Sequence, residues 1–122
     1  MSRQTIETYW GAADARDWAR FGATLAADVV YRLPQTRELV RGRESYVRFN
    51  ADYPGDWHIE IERLIAETDQ AVSWTRFVVD GEEQTGLTFF RLDHTGAITE
   101  ITDFWPEPYT APVGRAHLVE HY

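Results

Sequence analysis

The chain contains no cysteine, no lysine and no long run of apolar residues. Without cysteine, disulfides, thiol nucleophiles and thiolate metal ligands are excluded, and without lysine, so is Schiff-base catalysis through that side chain. No segment approaches the ~18 apolar residues of a membrane span, and residues 1–5 lack the apolar centre of a signal peptide. We therefore expect a cytoplasmic protein, whose catalysis would depend on Asp, Glu, His, Tyr, Ser, Thr, Arg or the backbone.

The length and charge of the chain limit the number of domains and the kinds of partner. A chain of 122 residues with 43% hydrophobic and 14% aromatic residues can bury one core and is too short for two domains. Its formal net charge of −8 argues against a nucleic-acid partner and against an anionic membrane surface. The acidic balance says little more, because many small proteins use it to remain soluble.

The first half of the chain has mainly helical patterns, separated by short strands. Apolar spacing predicts helices over 4–15, from Asp17 through Leu25, and over 43–53. Asp17 is placed to cap the second of these helices. Short strands are expected over 29–33, closed by Pro34, and over 39–41.

The second half alternates like a series of antiparallel strands, predicted over 58–65, 71–79, 85–92 and 97–105. Asp80-Gly81 is typical of a two-residue hairpin turn. Helices gathered at one side of an antiparallel sheet predict an α+β fold with a concave interior suited to a ligand. Residues 1–109 form the expected domain, and 110–122 a tail that packs on the domain or on a dimer partner.

Asp103 is the unusual residue of the last predicted strand. Because side chains alternate along a strand, it shares its face with Ala97, Thr99, Ile101 and Trp105. An ionised carboxylate in such an apolar row is costly to desolvate. One interpretation is a general acid or base with a raised pKa; the others are a carboxylate paired with a buried arginine such as Arg76, and one that faces solvent at the strand end.

The histidines and the glycine pattern give little evidence of a metal site or a phosphate-binding site. His94 lies in a predicted turn, and His117 and His121 lie in the tail without an evident third ligand, so no metal site is expected. His58 opens a strand and is either a pocket-mouth residue or an exposed strand start. Glycine-rich phosphate loops and a nucleophile elbow are absent, and no cofactor is expected.

Several segments resemble the SnoaL-like branch of the nuclear transport factor 2-like superfamily, from about Gln4 to Tyr109. They are Ala26-Ala27-Asp28-Val29-Val30-Tyr31-Arg32-Leu33-Pro34, Val40-Arg41-Gly42-Arg43-Glu44, Asp93-His94-Thr95-Gly96-Ala97-Ile98 and Asp103-Phe104-Trp105-Pro106-Glu107-Pro108-Tyr109. The resemblance implies a cone-shaped α+β barrel, with three N-terminal helices packed on a strongly curved, mostly antiparallel sheet. It also implies a homodimer formed by the outer face of that sheet, where Trp74 and Val78 are candidate contacts.

Relatives with known chemistry can be compared position by position. In ketosteroid isomerases a first-helix tyrosine donates to the oxyanion, which corresponds to Tyr9. Their general-base aspartate falls at Leu33, and their second oxyanion-hole acid at Thr88. The resemblance therefore supplies a donor but not the proton-shuttling base of that reaction.

Two other groups of relatives have a catalytic aspartate that the resemblance relates to Asp103. In limonene-epoxide hydrolases a first-strand tyrosine corresponds to Tyr31 and the last-strand aspartate to Asp103, while the arginine and second aspartate fall at Ser73 and Thr75. Arg76 is a candidate for that arginine's role. SnoaL-type polyketide cyclases use one aspartate in an apolar pocket, which fits a single carboxylate better.

The leading hypothesis is a cofactor-free cyclase, isomerase or hydratase that uses Asp103 on a hydrophobic carbonyl compound; the alternatives are a non-catalytic binding module and an epoxide hydrolase. The candidate catalytic residues are Asp103, Tyr9 and Tyr31. The candidate substrate-binding residues are Trp105, Thr88, Trp10, Leu33, Tyr46, Phe49, Tyr53, Trp57, Thr75, Phe77, Phe90 and Ile101.

Overall fold

The computed structural model describes residues 2–122, which form helices packed on one six-stranded sheet. The helices are α1 (Ser2–Ala15), α2 (Trp18–Ala23) and α3 (Arg43–Ala51), with a 3-10 helix at Val113–Leu118. The strands are β1 (Leu25–Leu33), β2 (Glu38–Arg41), β3 (Trp57–Ala66), β4 (Gln70–Val79), β5 (Glu82–Leu92) and β6 (Ile98–Phe104). Their order in the sheet is β2-β1-β6-β5-β4-β3. The predicted α+β cone, with its curved and mostly antiparallel sheet, is confirmed.

One neighbouring pair of strands is parallel. β1 and β6 run in the same direction, with Tyr31 beside Ile101, whereas β5 and β6 are antiparallel, with Thr88 opposite Asp103. Side chains of adjacent strands at one register position share a face of the sheet. This arrangement therefore brings β1, β5 and β6 together around Asp103.

The boundary between α2 and β1 differs from the prediction. Asp17 caps α2 as expected, accepting a hydrogen bond from the Arg20 backbone N–H at 3.2 Å. The helix ends at Ala23, however, and Leu25 belongs to β1. The backbone N–H of Ile98 donates to the Thr24 carbonyl at 2.9 Å, so pairing with β6 overrides the helical spacing of Leu25.

The hairpin between β4 and β5 forms at the predicted turn. Asp80 and Gly81 have φ angles of 50° and 84°, as a two-residue type I′ turn requires. Val79 pairs with Glu82 directly across the turn. Strand β5 consequently begins three residues before the predicted residue 85, because the turn geometry favours immediate pairing.

The core lies between the helices and the concave face of the sheet. Helix α1 contributes Ile6, Tyr9 and Trp10, and α2 contributes Phe21, all buried. Polar contacts fasten α1 over β3: Arg3 donates to the Leu64 carbonyl at 2.7 Å, and Asp14 accepts from the Ile59 N–H at 2.9 Å. Because α1 is fixed along β3, Tyr9 and Trp10 are held above the concave face.

The tail leaves the sheet after Trp105. Every residue from 106 to 122 is exposed, so the tail has no buried position on its own domain. Whether it packs on a dimer partner stays a prediction. None of the helices within residues 2–122 is long and apolar enough to cross a membrane.

Candidate active site

A cavity of about 520 Å³ lies between the helices and the concave face of the sheet. Asp103 is in its wall and is only 3% exposed. A volume in this range suits a small organic ligand. The cavity is therefore the candidate site, and Asp103 is its buried carboxylate.

Three donors converge on the Asp103 carboxylate. The Tyr31 hydroxyl donates to Oδ2 at 2.5 Å, and the Trp105 indole N–H donates to the same oxygen at 3.1 Å. The Thr88 hydroxyl donates to Oδ1 at 2.7 Å. The strand register explains these contacts, since Thr88 lies directly opposite Asp103 and Tyr31 lies beside Ile101.

Burial and hydrogen bonding shift the Asp103 pKa in opposite directions. Desolvation raises it, while the bonds from Tyr31, Thr88 and Trp105 lower it, and the result is a pKa of about 6. Burial dominates because an apolar environment penalises the ionised form. The carboxyl group can therefore exchange a proton near neutral pH, as a general acid or base must.

The two non-catalytic interpretations of Asp103, pairing with Arg76 and exposure at the strand end, are wrong. Asp103 does not face solvent, and Arg76 is not its partner. Alternation along β4 places Thr75 on the inner face and Arg76 on the outer face, where Arg76 pairs with Glu60 at 3.2 Å and Glu83 at 3.3 Å. For the same reason Arg76 cannot take the role of an arginine inside the cavity.

Gly86 provides the space for the Trp105 ring. A Cβ atom at Gly86 would lie 2.7 Å from the Thr75 hydroxyl oxygen and 2.9 Å from Cζ3 of Trp105, which is closer than non-bonded atoms approach. The ring thus packs against bare backbone. The Trp105 backbone N–H also donates to the Gln35 side-chain oxygen at 2.5 Å, and both contacts keep the indole N–H directed at Asp103.

A pair of tyrosines forms the second polar group of the cavity wall. The hydroxyls of Tyr9 and Tyr46 are hydrogen-bonded to each other, and the Tyr46 ring stacks on Tyr31 at 4.5 Å between centroids. Desolvation is the main cause that raises the pKa of all three phenols, so they stay protonated. Two hydroxyls share one bond, and this leaves one O–H proton for another acceptor.

Most of the predicted site residues line the cavity. They are Asp103, Tyr9, Tyr31, Trp105, Trp10, Leu33, Tyr46, Phe49, Tyr53, Trp57 and Phe77. Thr88 lies behind the wall and reaches it through Asp103. The structure does not bring the others to the surface of the cavity: Thr75, Phe90 and Ile101 are buried in the core, where Phe90 packs on Tyr9.

Further wall residues went unpredicted. They are Ala13, Gln35, Thr36, Glu38, Asn50, Ile59, Gln84 and Glu107. Asn50 lies in the helix predicted over 43–53, four residues after Tyr46 and next to Phe49, and this spacing was the one signal that could have identified it. Gln35 and Thr36 belong to the β1–β2 turn and Glu38 begins β2. No periodicity in the sequence indicates that this segment passes over the cavity.

The remaining histidine candidate lies outside the cavity. His58 is exposed and near two carboxylates, with its Nδ1 at 3.5 Å from Asp14 and its Nε2 at 3.4 Å from Asp56. Across residues 2–122, no group of three His, Asp or Glu side chains is placed to hold a metal ion. Asp103 is the buried carboxylate of the cavity wall, and Tyr9, Tyr31 and Tyr46 are its buried hydroxyl groups, whereas Glu38 and Glu107 line the cavity as exposed residues.

The fold and the cavity define a class: an α+β cone protein with a small-molecule pocket and a buried carboxylate. The chain belongs to the SnoaL-like domain family, which it matches over residues 6–101. The sequence matches none of the curated proteins with which it was compared. The family therefore defines the fold and the pocket, and leaves the reaction to be argued from the site.

Solved structures support the same class. A candidate ketosteroid isomerase from Kribbella flavida is 40% identical, with a TM-score of 0.96 over 99% of this chain and 89% of that chain. A candidate SnoaL-like polyketide cyclase from Shewanella denitrificans is 17% identical, with a TM-score of 0.76 over 86% and 90%. An epoxide hydrolase from M. tuberculosis is 17% identical, with a TM-score of 0.71 over 86% and 82%. The last two share the fold alone with this chain.

Proposed function

We propose that this protein is a cofactor-free enzyme that binds a hydrophobic, carbonyl-containing small molecule and uses Asp103 as general base and acid. The proposal covers an isomerisation, a cyclisation or a hydration-type reaction. The observation that carries it is one buried carboxylate with a pKa of about 6 in the wall of a 520 Å³ cavity. Such a group removes and returns protons near neutral pH.

The proton transfer would begin at a carbon next to the substrate carbonyl. Ionised Asp103 takes the C–H proton, and the electron pair of that bond moves toward the carbonyl oxygen, forming an enolate. In an isomerisation the proton returns to another carbon; in a cyclisation the enolate carbon attacks a second carbonyl, whose oxygen takes the proton. Both outcomes leave Asp103 ionised and the atoms balanced.

Tyr9 and Tyr46 are the proposed donors to the developing oxyanion. Their pair has one O–H proton that the mutual bond does not use, and both side chains line the cavity. The raised phenol pKa values ensure that this proton is present at neutral pH. A donor that is already in place when charge develops lowers the barrier without reorganisation.

The charge distribution favours this scheme over epoxide hydrolysis. Within residues 2–122, Asp103 is the only buried carboxylate. Ser73 and Thr75, at the positions of the hydrolases' arginine and second aspartate, are buried neutral residues. Ser73 instead accepts a hydrogen bond from the Trp10 indole N–H at 3.0 Å. One carboxylate suffices for enolisation, whereas the hydrolase scheme divides acid and base work between two.

Deuterium exchange tests the proposal without the natural substrate. Apolar cyclic monoketones, whose α-hydrogens exchange only slowly in neutral heavy water, serve as probes, and nuclear magnetic resonance follows loss of the α C–H signal. We expect the protein to accelerate exchange above the buffer rate and Asp103→Asn to abolish that acceleration. Asp28→Asn, which changes an exposed aspartate, is the matched control and should exchange like the wild type.

A non-catalytic binding module is the result that would replace this proposal. In that case the probes bind, as seen by shifts of indole resonances, but the exchange rate stays at the buffer value. Exchange that survives Asp103→Asn at the wild-type rate would instead show that another group is the base. The two failures are therefore distinct.

A homodimer belongs to the same proposal. Trp74 is 45% exposed and, with half-buried Val78, lies on the outer face of β4, opposite Thr75 and Phe77. Pairing two outer faces would remove this apolar surface from water. Sedimentation should give twice the 14.2 kDa chain mass; a monomer at micromolar concentration would contradict the dimer and leave the chemistry untouched.

A further inference from the structure

The tail combines apolar side chains with almost complete exposure. Val113 is 90% exposed and Leu118 is 74% exposed, and both lie in the 3-10 helix Val113–Leu118. An isolated turn of this kind has too little hydrogen bonding to hold itself in water. Something outside the single chain must cover these residues if the helix is to persist.

The path of the tail is not peculiar to this chain. The Kribbella flavida structure superposes on 99% of this chain with a TM-score of 0.96. A superposition of that extent includes residues 110–122. A tail that contacts no core and yet follows the same path in a 40% identical protein calls for a stabilising contact outside its own domain. A second copy of the chain is present wherever the protein is, so it is the occupant we consider for that contact.

The connection to the tail is stiff and extended. Pro106, Pro108 and Pro112 lie between β6 and the 3-10 helix, and proline-rich segments extend at ~3.1 Å per residue. Residues 106–112 can therefore reach roughly 20 Å beyond the sheet. A preorganised arm loses little conformational entropy on docking.

A matching receptor lies on the outer face of the sheet. A groove of about 360 Å³ on this face has an apolar part and a polar rim. Ile65, Val72 and Phe89 form the apolar part, in which Ile65 and Phe89 are 58% and 51% exposed. The polar residues that line it are Glu67, Gln70, Arg91, Glu100 and Thr102. Exposed apolar residues gathered in one patch indicate a contact surface. No residue of 106–122 lines this groove, so the chain's own tail leaves it open.

We propose that the 3-10 helix of one copy docks, through Val113 and Leu118, into the Ile65–Val72–Phe89 groove of a second copy. The arrangement rests on the dimer of the proposed function and adds a reciprocal exchange of tails to it. In a two-fold dimer each chain gives one tail and receives one. Both exposed apolar surfaces of each chain are then covered by one symmetric contact.

The first test charges the docking residue in the full-length chain. Leu118→Asp should raise the dimer dissociation constant roughly tenfold or more, because a carboxylate would replace the apolar side chain that contacts Ile65, Val72 and Phe89. Thr110→Asp adds the same charge to an exposed polar tail position and should leave the constant unchanged. Sedimentation velocity over a dilution series measures both variants.

The second test uses the lack of cysteine in the chain. A 15N-labelled Leu118→Cys chain is mixed with unlabelled Phe89→Cys or with Ala19→Cys, an exposed site on α2, and mass spectrometry counts mixed disulfides. Disulfides need Cα atoms within about 7 Å, so the Phe89→Cys mixture should cross-link and the Ala19→Cys mixture should not.

The outcomes separate this proposal from the dimer itself. A dimer that Leu118→Asp does not weaken overturns the tail contact and leaves the pairing of sheets in place. Cross-linking to Ala19→Cys but not to Phe89→Cys, or to neither, overturns the groove as receptor. A wild-type monomer overturns both.

Discussion

The Tyr31 hydroxyl donates a 2.5 Å hydrogen bond to Oδ2 of Asp103, across 72 residues of sequence. This bond stabilises the ionised carboxylate, and desolvation opposes it. Asp103 is therefore neither freely ionised nor permanently neutral around physiological pH. The predictions below follow from this balance and from the groups that maintain it.

Stability should depend on pH through Asp103. Its pKa is raised from 3.8 to about 6 on folding, so the folded protein binds the proton more tightly than the unfolded chain does. The contribution of Asp103 to the free energy of unfolding is fully present below about pH 4. It is lost as the pH rises through about 6, and the total loss is about 3 kcal/mol.

Asp103→Asn should remove that loss. Its amide can accept from Tyr31 and Trp105 and donate to the Thr88 hydroxyl oxygen, so the contacts persist without charge. Urea unfolding should show the variant gaining on the wild type, by up to about 3 kcal/mol, between about pH 4 and pH 7. A stability difference that is constant over this interval would contradict the raised pKa.

Tyr31→Phe should raise the Asp103 pKa above its wild-type value. The change removes one donor to the ionised form and keeps the ring that stacks on Tyr46. Carbon-detected titration of the Asp103 carboxyl measures the shift, and the midpoint of the pH–rate profile should move the same way. Tyr109→Phe, at an 83% exposed position outside the cavity lining, should leave both unchanged.

Gly86→Ala should displace the Trp105 ring. The new methyl group would overlap Cζ3 at 2.9 Å, so the indole N–H would lose its bond to Asp103 and the carboxyl pKa would rise. The Trp105 indole resonance and the Asp103 titration report both effects. Gly11→Ala, with no atom within 4 Å of the new methyl, is the control and should leave both readings at their wild-type values.

Tyr9 and Tyr46 should be energetically coupled. Replacing either one by Phe removes their mutual hydrogen bond inside the core, at about 1–3 kcal/mol of unfolding free energy; after Tyr9→Phe, Tyr46 keeps its interaction with Asn50. The double variant removes both polar groups, and its loss should be smaller than the sum of the single losses. Additive losses in a urea-unfolding cycle would show that the mutual bond contributes little.

The sequence predicted most of the fold because its signals are local. Asp17 caps α2 and Asp80-Gly81 forms the hairpin turn as expected, since each depends on a few adjacent residues. The end of α2 was mispredicted because the carbonyl of Thr24 bonds to Ile98, far along the chain. The parallel pairing of β1 with β6 joins distant segments, so no local sequence pattern predicts it.

The candidate site shows the same division. Alternation predicted that Asp103 shares a face with Ala97, Thr99, Ile101 and Trp105, and the structure confirms that Asp103 and Ile101 are buried. The alternation fails at Thr99, because a register shift between β5 and β6 puts Ile98 in the core instead. The Tyr9–Tyr46 bond and the part of Gln35 in holding Trp105 were not foreseen. They join different elements, so only the packing of α1 and α3 on the sheet creates them.

The sequence by itself determined which chemistry is available: no thiol, no lysine amine, and a single aspartate in an apolar strand face. Tertiary structure decided what that aspartate can do. A pKa depends on the desolvation and hydrogen bonds that surround a group in space, and Tyr31, Thr88 and Trp105 surround Asp103 only when β1, β5 and β6 lie side by side.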